Sequence, residues 1–256
     1  MEHPSFAPRD RLDGEVVVIT GGTGAIGSAT ARRAARLGAR VVLVHRRPAS
    51  DASPVLSSLE GSGHLALSAS VTDSAALAAA AEVVAREIGN ATVLVNCAGF
   101  TQPVAAADLD GLTDELIDDI FATHWRGSFA AIRAFAPQMR AAGDAVIVNV
   151  SSIASISGLG SNLAYAAAKA GIDALTKALA KTLAPQIRVL AVSPGVVDTS
   201  FVPGRDAGFN ERVAPTIALK RVGVADDVAA AIVACCTSLR YATGSVIVAD
   251  GGRHLS

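Results

Sequence analysis

The sequence predicts an α/β protein: one doubly wound domain in which a seven-stranded parallel sheet carries helices on both faces. Three observations predict it. Seven short runs, most of them rich in β-branched residues, alternate with longer alanine-rich helical patterns along the 256 residues. Most of these runs are apolar throughout, as strands buried on both faces are. The composition, 51% hydrophobic and only 4% aromatic, builds a core from Ala, Val, Ile and Leu rather than from rings.

Taken in order, the predicted strands are 15–20, 40–45, 64–68, 92–96, 145–150, 188–192 and 245–249. The first runs directly into Thr20-Gly21-Gly22-Thr23-Gly24-Ala25-Ile26-Gly27, which opens a helix over 26–37 closed by Gly38. A second helix is expected over 74–88, with Thr72 and Asp73 as capping residues and Gly89 at its end, and Thr113 offers a further cap. A long alanine-rich helix follows over 162–184. Repeated β-α units with right-handed crossovers give one sheet and one domain. Residues 1–11 read as a flexible N-terminal extension. The one long stretch without periodicity, 200–222, reads as a substrate lid, since long loops in compact domains commonly bind ligands.

Composition excludes several functions. The formal net charge is −1 and no block of like charges forms a basic face, so no nucleic-acid partner is expected. Apolar stretches are too short to span a membrane, and the polar, proline-containing N-terminus is not a secretory signal. Cys97, Cys235 and Cys236 form no metal or disulfide framework; the adjacent pair reads as core filling, and a cytoplasmic setting is the default.

The glycine-rich turn carries the first chemical reading. Its glycines, Gly24 among them, sit where a tight strand-to-helix turn brings backbone N–H groups and a helix N-terminus toward a pyrophosphate. The second strand ends in Val44-His45-Arg46-Arg47, without the acidic residue that would take the ribose hydroxyls of NAD. Arg46, and less so Arg47, instead suits a 2′-phosphate, so NADP(H) is favoured and NAD(H) remains possible.

The second reading is catalytic. Tyr165 and Lys169 are four apart at the start of a helix and so share a face. A free phenol has a pKa of about 10. A neighbouring ammonium would lower it and suit Tyr165 to exchanging a proton with an alcohol or carbonyl. Ser151 and Ser152 end the fifth strand, on the edge where such sheets bind ligands, and Ser152 could hold the substrate oxygen.

With these motifs the chain resembles the short-chain dehydrogenase/reductase family, from about Leu12 to the C-terminus, and is similar to 3-oxoacyl-carrier-protein reductases. The resemblance rests on TGGTGAIG, Asn96-Cys97-Ala98-Gly99, Ser152 thirteen residues before Tyr165, Lys169, Pro194-Gly195 with Thr199 beyond, and the ending VIVADGG. It implies a Rossmann-type fold, a ketone or secondary alcohol as substrate, and usually a homotetramer. It also implies that Gly21, Thr23 and Ile26 contact the pyrophosphate and ribose and that Ser70 and Val71 flank the adenine. Asn96, Ala98 and Gly99 would line the cofactor's middle, Lys169 would hold the nicotinamide ribose, and Pro194, Gly195, Val197 and Thr199 would shape the carboxamide end.

The chain departs from the family pattern at Ala25, in place of a glycine, at Ser70, in place of an aspartate, and at His124, in place of a catalytic asparagine. Imidazole both donates and accepts hydrogen bonds, so His124 is a candidate fourth catalytic residue; the other reading is a packing histidine. The alternative to an enzyme is a non-catalytic dinucleotide-binding regulator, which His124 favours and the intact Ser152, Tyr165 and Lys169 oppose. Residues 155–164 and 200–222 are expected to shape the substrate pocket.

Overall fold

The computed structural model describes residues 9–46 and 49–255. The sheet has seven parallel strands in the order β3-β2-β1-β4-β5-β6-β7. They are β1 (Val16–Thr20), β2 (Arg40–His45), β3 (Leu65–Ser68), β4 (Val93–Asn96), β5 (Ala145–Val150), β6 (Ile187–Pro194) and β7 (Val246–Ala249). Each predicted strand is present, with ends displaced by one or two residues. Register is continuous across the centre: Val18 lies opposite Val42 on one side and Leu94 on the other.

Alternate residues of each central strand feed two cores. Val16, Val18, Leu94, Ile147 and Val189 face one layer. That layer holds α3 (Ser74–Glu87), α5 (Gly127–Ala142) and α7 (Leu163–Leu183). Val17, Ile19, Val95, Val148 and Leu190 face the other, formed mainly by α1 (Ala25–Arg36) and α9 (Ala225–Cys236). Cys235 and Cys236 fill this second core, as their helical setting predicted. Only the edge strands β3 and β7 are half-buried. Asp73 caps α3 by accepting from the N–H groups of Ala75 and Ala76. The expected extension over 1–11 and Arg47 lie largely outside the described residues.

The remaining helices gather above the C-terminal edge of the sheet or beside it. They are α2 (Ala49–Ser57), α4 (Asp114–Phe121), α6 (Ala154–Ser157) and α8 (Phe209–Val213). Between α4 and α5 the chain makes one π-helical turn, Ala122–Arg126. Short α8 lies within the 200–222 segment. Among the described residues no helix is long and apolar enough to cross a membrane.

Candidate active site

One cavity of about 1350 Å³ opens along the C-terminal ends of the strands. Its dinucleotide-sized end is built from main chain. Gly21 lies at φ +67°, and a Cβ there would stand 2.8 Å from the Ala98 Cα. A Cβ on Gly27 would stand 2.3 Å from the Gly21 carbonyl oxygen, so the turn closes only with glycine at this place. The Gly21 N–H donates to Val44 O at 2.8 Å, tying the turn to β2. The Thr20 hydroxyl accepts from the N–H groups of Cys97 and Ala98, at 3.2 and 3.3 Å, tying it to the exit of β4. Gly24 precedes α1 as an N-cap without a side-chain bond, and the first-turn residues Ala25 and Ile26 line the cavity. That cradle and open helix end suit a pyrophosphate, and the family's dinucleotide fits the residues present.

Thr23, Gly24, Ile26, Arg46, Ser70, Val71, Ala98 and Gly99 all line this cavity. Pro194, Gly195, Val197 and Thr199 line its far wall, where a Cβ on Gly195 would press 2.7 Å from Asp250. Ala25 lines it as well, so the methyl that replaces a glycine there is accommodated at the first position of α1. Asn96 is the exception among the expected cofactor residues. It is absent from the wall; its side chain is buried in the sheet and donates to Asn149 Oδ1 at 2.9 Å, and Asn149 donates in turn to the Thr176 hydroxyl at 2.9 Å. The amide NH2 at the end of this central strand is bonded sideways, across β4 and β5, while the Asn96 Oδ1 is buried without a partner.

Ser152, Tyr165, Lys169 and His124 come together at the centre of the cavity. Asn162 starts α7: its side-chain oxygen accepts from the Tyr165 N–H at 2.7 Å, and its NH2 donates to Gln102 O at 2.8 Å. The cap therefore fixes both the helix start and the angle at which Tyr165 enters. Ser152 sits just past β5, its hydroxyl accepting from the Ala154 N–H at 3.2 Å and lying near enough to Tyr165 to pull its pKa down. Lys169 Nζ lies 5.6 Å from the Tyr165 ring centroid and donates to Val150 O at 2.6 Å.

The phenol departs from expectation. Burial pushes the Tyr165 pKa up to about 12, against the opposing pull of the Ser152 hydroxyl and the Arg205 charge. The lowering expected from Lys169 does not occur, because that ammonium is turned to the Val150 carbonyl rather than to the phenolic oxygen. Burial likewise pushes Lys169 down to about 8.

His124 is buried, on the π-helical turn, with its ring edge-on to Tyr165 at 5.3 Å between centroids. Burial, and then the Lys169 charge, hold its pKa down at about 3, so the ring is neutral. Its Nε2 faces Phe100 O at 2.7 Å and must therefore carry the proton, which leaves Nδ1 as an acceptor. That Nδ1 is buried without a partner.

Phe201, Arg205 and Phe209, from the 200–222 segment expected to shape the pocket, line the far end of the same cavity, together with Phe100, Thr101 and His254, which the sequence did not single out. Phe201 approaches the Tyr165 ring at 6.0 Å, and the hydroxyls of Thr101 and Ser161 join the two loops over the pocket. Nothing in their spacing marks them, since single aromatic and basic residues in loops are common.

Comparisons with known proteins agree with this geometry. A family model described as Enoyl-(Acyl carrier protein) reductase matches residues 21–254. The cis-4-hydroxycyclohexanecarboxylate dehydrogenase of Sinomonas cyclohexanicum is 36% identical over 242 residues, covering 93% of this chain and 95% of its own. The 3-oxoacyl-[acyl-carrier-protein] reductase of Pseudomonas aeruginosa is 30% identical over 249 residues, covering 96% and 99%. Among solved structures, levodione reductase superposes with a TM-score of 0.89 at 28% identity, covering 96% of this chain and all of its own (100%).

Proposed function

Because this chain belongs to the short-chain dehydrogenase/reductase family, and so is an oxidoreductase acting on alcohol and ketone groups, we propose that it is an NADP(H)-dependent ketoreductase. The observation that carries the reading is the meeting of Ser152, Tyr165 and Lys169 in one cavity with the glycine turn. When bound, the dinucleotide supplies the hydride for reduction or receives it in oxidation. Gly21, Thr23, Gly24 and Ile26 hold its pyrophosphate, and Arg46 pairs with the 2′-phosphate. Ser70, Val71, Ala98 and Gly99 flank its adenosine half, while Pro194, Gly195, Val197 and Thr199 bound the nicotinamide end.

Ser152 holds the substrate oxygen against Tyr165. A phenol with a pKa of about 12 is fully protonated at neutral pH, so Tyr165 is set as a proton donor to an oxygen that gains negative charge. With NADPH as the working cofactor, ketone reduction is the favoured direction. The phenolate left behind is stabilised by the Ser152 hydroxyl and the Arg205 charge. His124 offers its unpartnered Nδ1 as the acceptor in the relay that returns a proton toward Lys169, the place usually held by asparagine. The 200–222 segment acts as the substrate lid.

Exposed Phe121, Trp125 and Leu163 support self-association as a homotetramer, which light scattering would weigh. The three free thiols fit a cytoplasmic setting.

The test is NADPH oxidation with a panel of β-ketoesters, cyclic ketones and oxo-acids. Tyr165→Phe should lower kcat by about 10³-fold or more, within the usual range for a lost proton donor, while cofactor binding persists. Tight cofactor binding with no turnover across the panel would instead identify a dinucleotide-binding regulator.

A further inference from the structure

Beyond the phenol Phe100, Leu159, Phe201 and Phe209 line the cavity, and the guanidinium of Arg205 stands among them. The side chain is fixed by two contacts. Its guanidinium carbon lies 4.4 Å from the Phe209 ring centroid, and Nη1 donates to Val197 O at 3.1 Å. Neither contact neutralises its charge. Asp206, next in the chain, is committed to Arg212 through two hydrogen bonds of 3.0 and 2.7 Å. Asp198 acts on Arg205 only through space. Arg253 and His254 join the same wall from the C-terminal turn, His254 being held through Nδ1 by Asp250 at 2.7 Å.

A half-buried cation without a carboxylate against it is costly, because burial has removed part of its hydration and the Val197 carbonyl and the Phe209 ring replace only some of it. Burial does hold the Arg205 pKa below its ordinary value, and the Arg205 charge is felt at the Tyr165 phenol. The two groups therefore lie in the same cavity, within electrostatic reach of one another.

We propose that the ketone substrate carries a carboxylate on an apolar body, and that Arg205 receives it. The inference rests on the ketoreductase reading above. Ser152 and Tyr165 hold the carbonyl oxygen at one end, the aromatic wall covers the carbon skeleton, and the guanidinium takes the carboxylate at the other. A planar guanidinium suits this because it offers paired N–H donors matching the two oxygens, and stacking on Phe209 holds its plane. The cofactor phosphates are a poor match, since their cradle lies at the ends of β1 and β2 whereas Arg205 is tied to Val197 beyond β6.

The test uses matched pairs: 4-oxopentanoate, 5-oxohexanoate and 6-oxoheptanoate, each beside its methyl ester, with wild type, Arg205→Met and Arg205→Lys. For the best-fitting length, wild type should prefer acid over ester in kcat/KM by about 30-fold or more, the scale of one charged hydrogen-bonded pair. Arg205→Met should bring that ratio close to one, and Arg205→Lys should recover part of it. A wild-type ratio near one at every length, or an acid preference that survives in Arg205→Met, overturns the proposal.

Calorimetry of the NADPH-loaded protein with hexanoate and methyl hexanoate reads the site without turnover. Hexanoate binding that is lost in Arg205→Met supports the carboxylate site even where no ketone is reduced, in which case the ketoreductase reading fails by itself. Absence of hexanoate binding, or its displacement of NADPH, overturns the site. Reduction of esters and acids alike leaves the ketoreductase reading standing and removes this one.

Discussion

At one end of the cavity the wall is main chain: Gly21 and Gly27 pack against backbone, and the N-terminus of α1 stands open beside them. At the other it is side chain: Phe100, Phe201, Arg205 and Phe209 reach in from loops after β4 and β6. The first construction fixes which residues may stand there, because only glycine fits. The second leaves each position open to exchange. A dinucleotide is met by geometry that tolerates little change, and a substrate by chemistry that can be replaced one residue at a time.

Variants can break this contrast if every one is scored for both cofactor affinity and turnover. The largest effect is expected at Lys169, where Lys169→Met should lower kcat by about 10³-fold with little loss of NADPH binding by the adenosine half. Its stability should also report the buried ammonium. The folded pKa of about 8 lies below the roughly 10.4 of an unfolded lysine, so the unfolded chain holds more protons between those values. Wild type should therefore gain Tm relative to Lys169→Met as pH rises from 8 to 10, and a constant difference would refute the buried charge.

Next in size, Arg46→Ala should raise the Kd for NADPH by about 10- to 100-fold, the worth of one or two charge-assisted hydrogen bonds, and leave NADH nearly unchanged. Equal losses for both would sink the phosphate pairing. Gly27→Ala should weaken both dinucleotides about tenfold, or about 1.4 kcal/mol, because its Cβ forces the turn open, with kcat at saturating cofactor far less affected. The smallest effect is a silence. With His124 held at about 3, the pH profile of kcat/KM should show no inflection near 6.5, and an inflection there that disappears in His124→Asn would contradict its burial.

The sheet was legible because continuous apolar runs such as Val16–Thr20 and Ala145–Val150 admit few arrangements other than buried parallel strands. The cofactor end was legible for a related reason: backbone demands appear in sequence as glycine at fixed spacing. Three features were not. Asn96 was expected on the cavity wall, but whether an amide at a strand end turns to a ligand or to a neighbouring strand depends on Asn149 and Thr176, distant in sequence. The pKa of Tyr165 depends on the direction of one lysine head group, which the four-residue spacing leaves free. Arg205 looks like any solvated loop arginine until Phe209 and Val197 are seen to hold it.

The π-helical turn at Ala122–Arg126 carries a consequence of another kind. A π turn takes up one residue more than an α turn over the same span, so everything beyond it is rotated relative to an uninterrupted helix. His124 owes its place beside Tyr165 to that surplus residue as much as to being histidine. Shortening the segment by one, with every side chain kept, should straighten the helix and carry the imidazole away from the phenol. Here the determinant is a count of residues, and a change in that count would be invisible to any scan made by substitution alone.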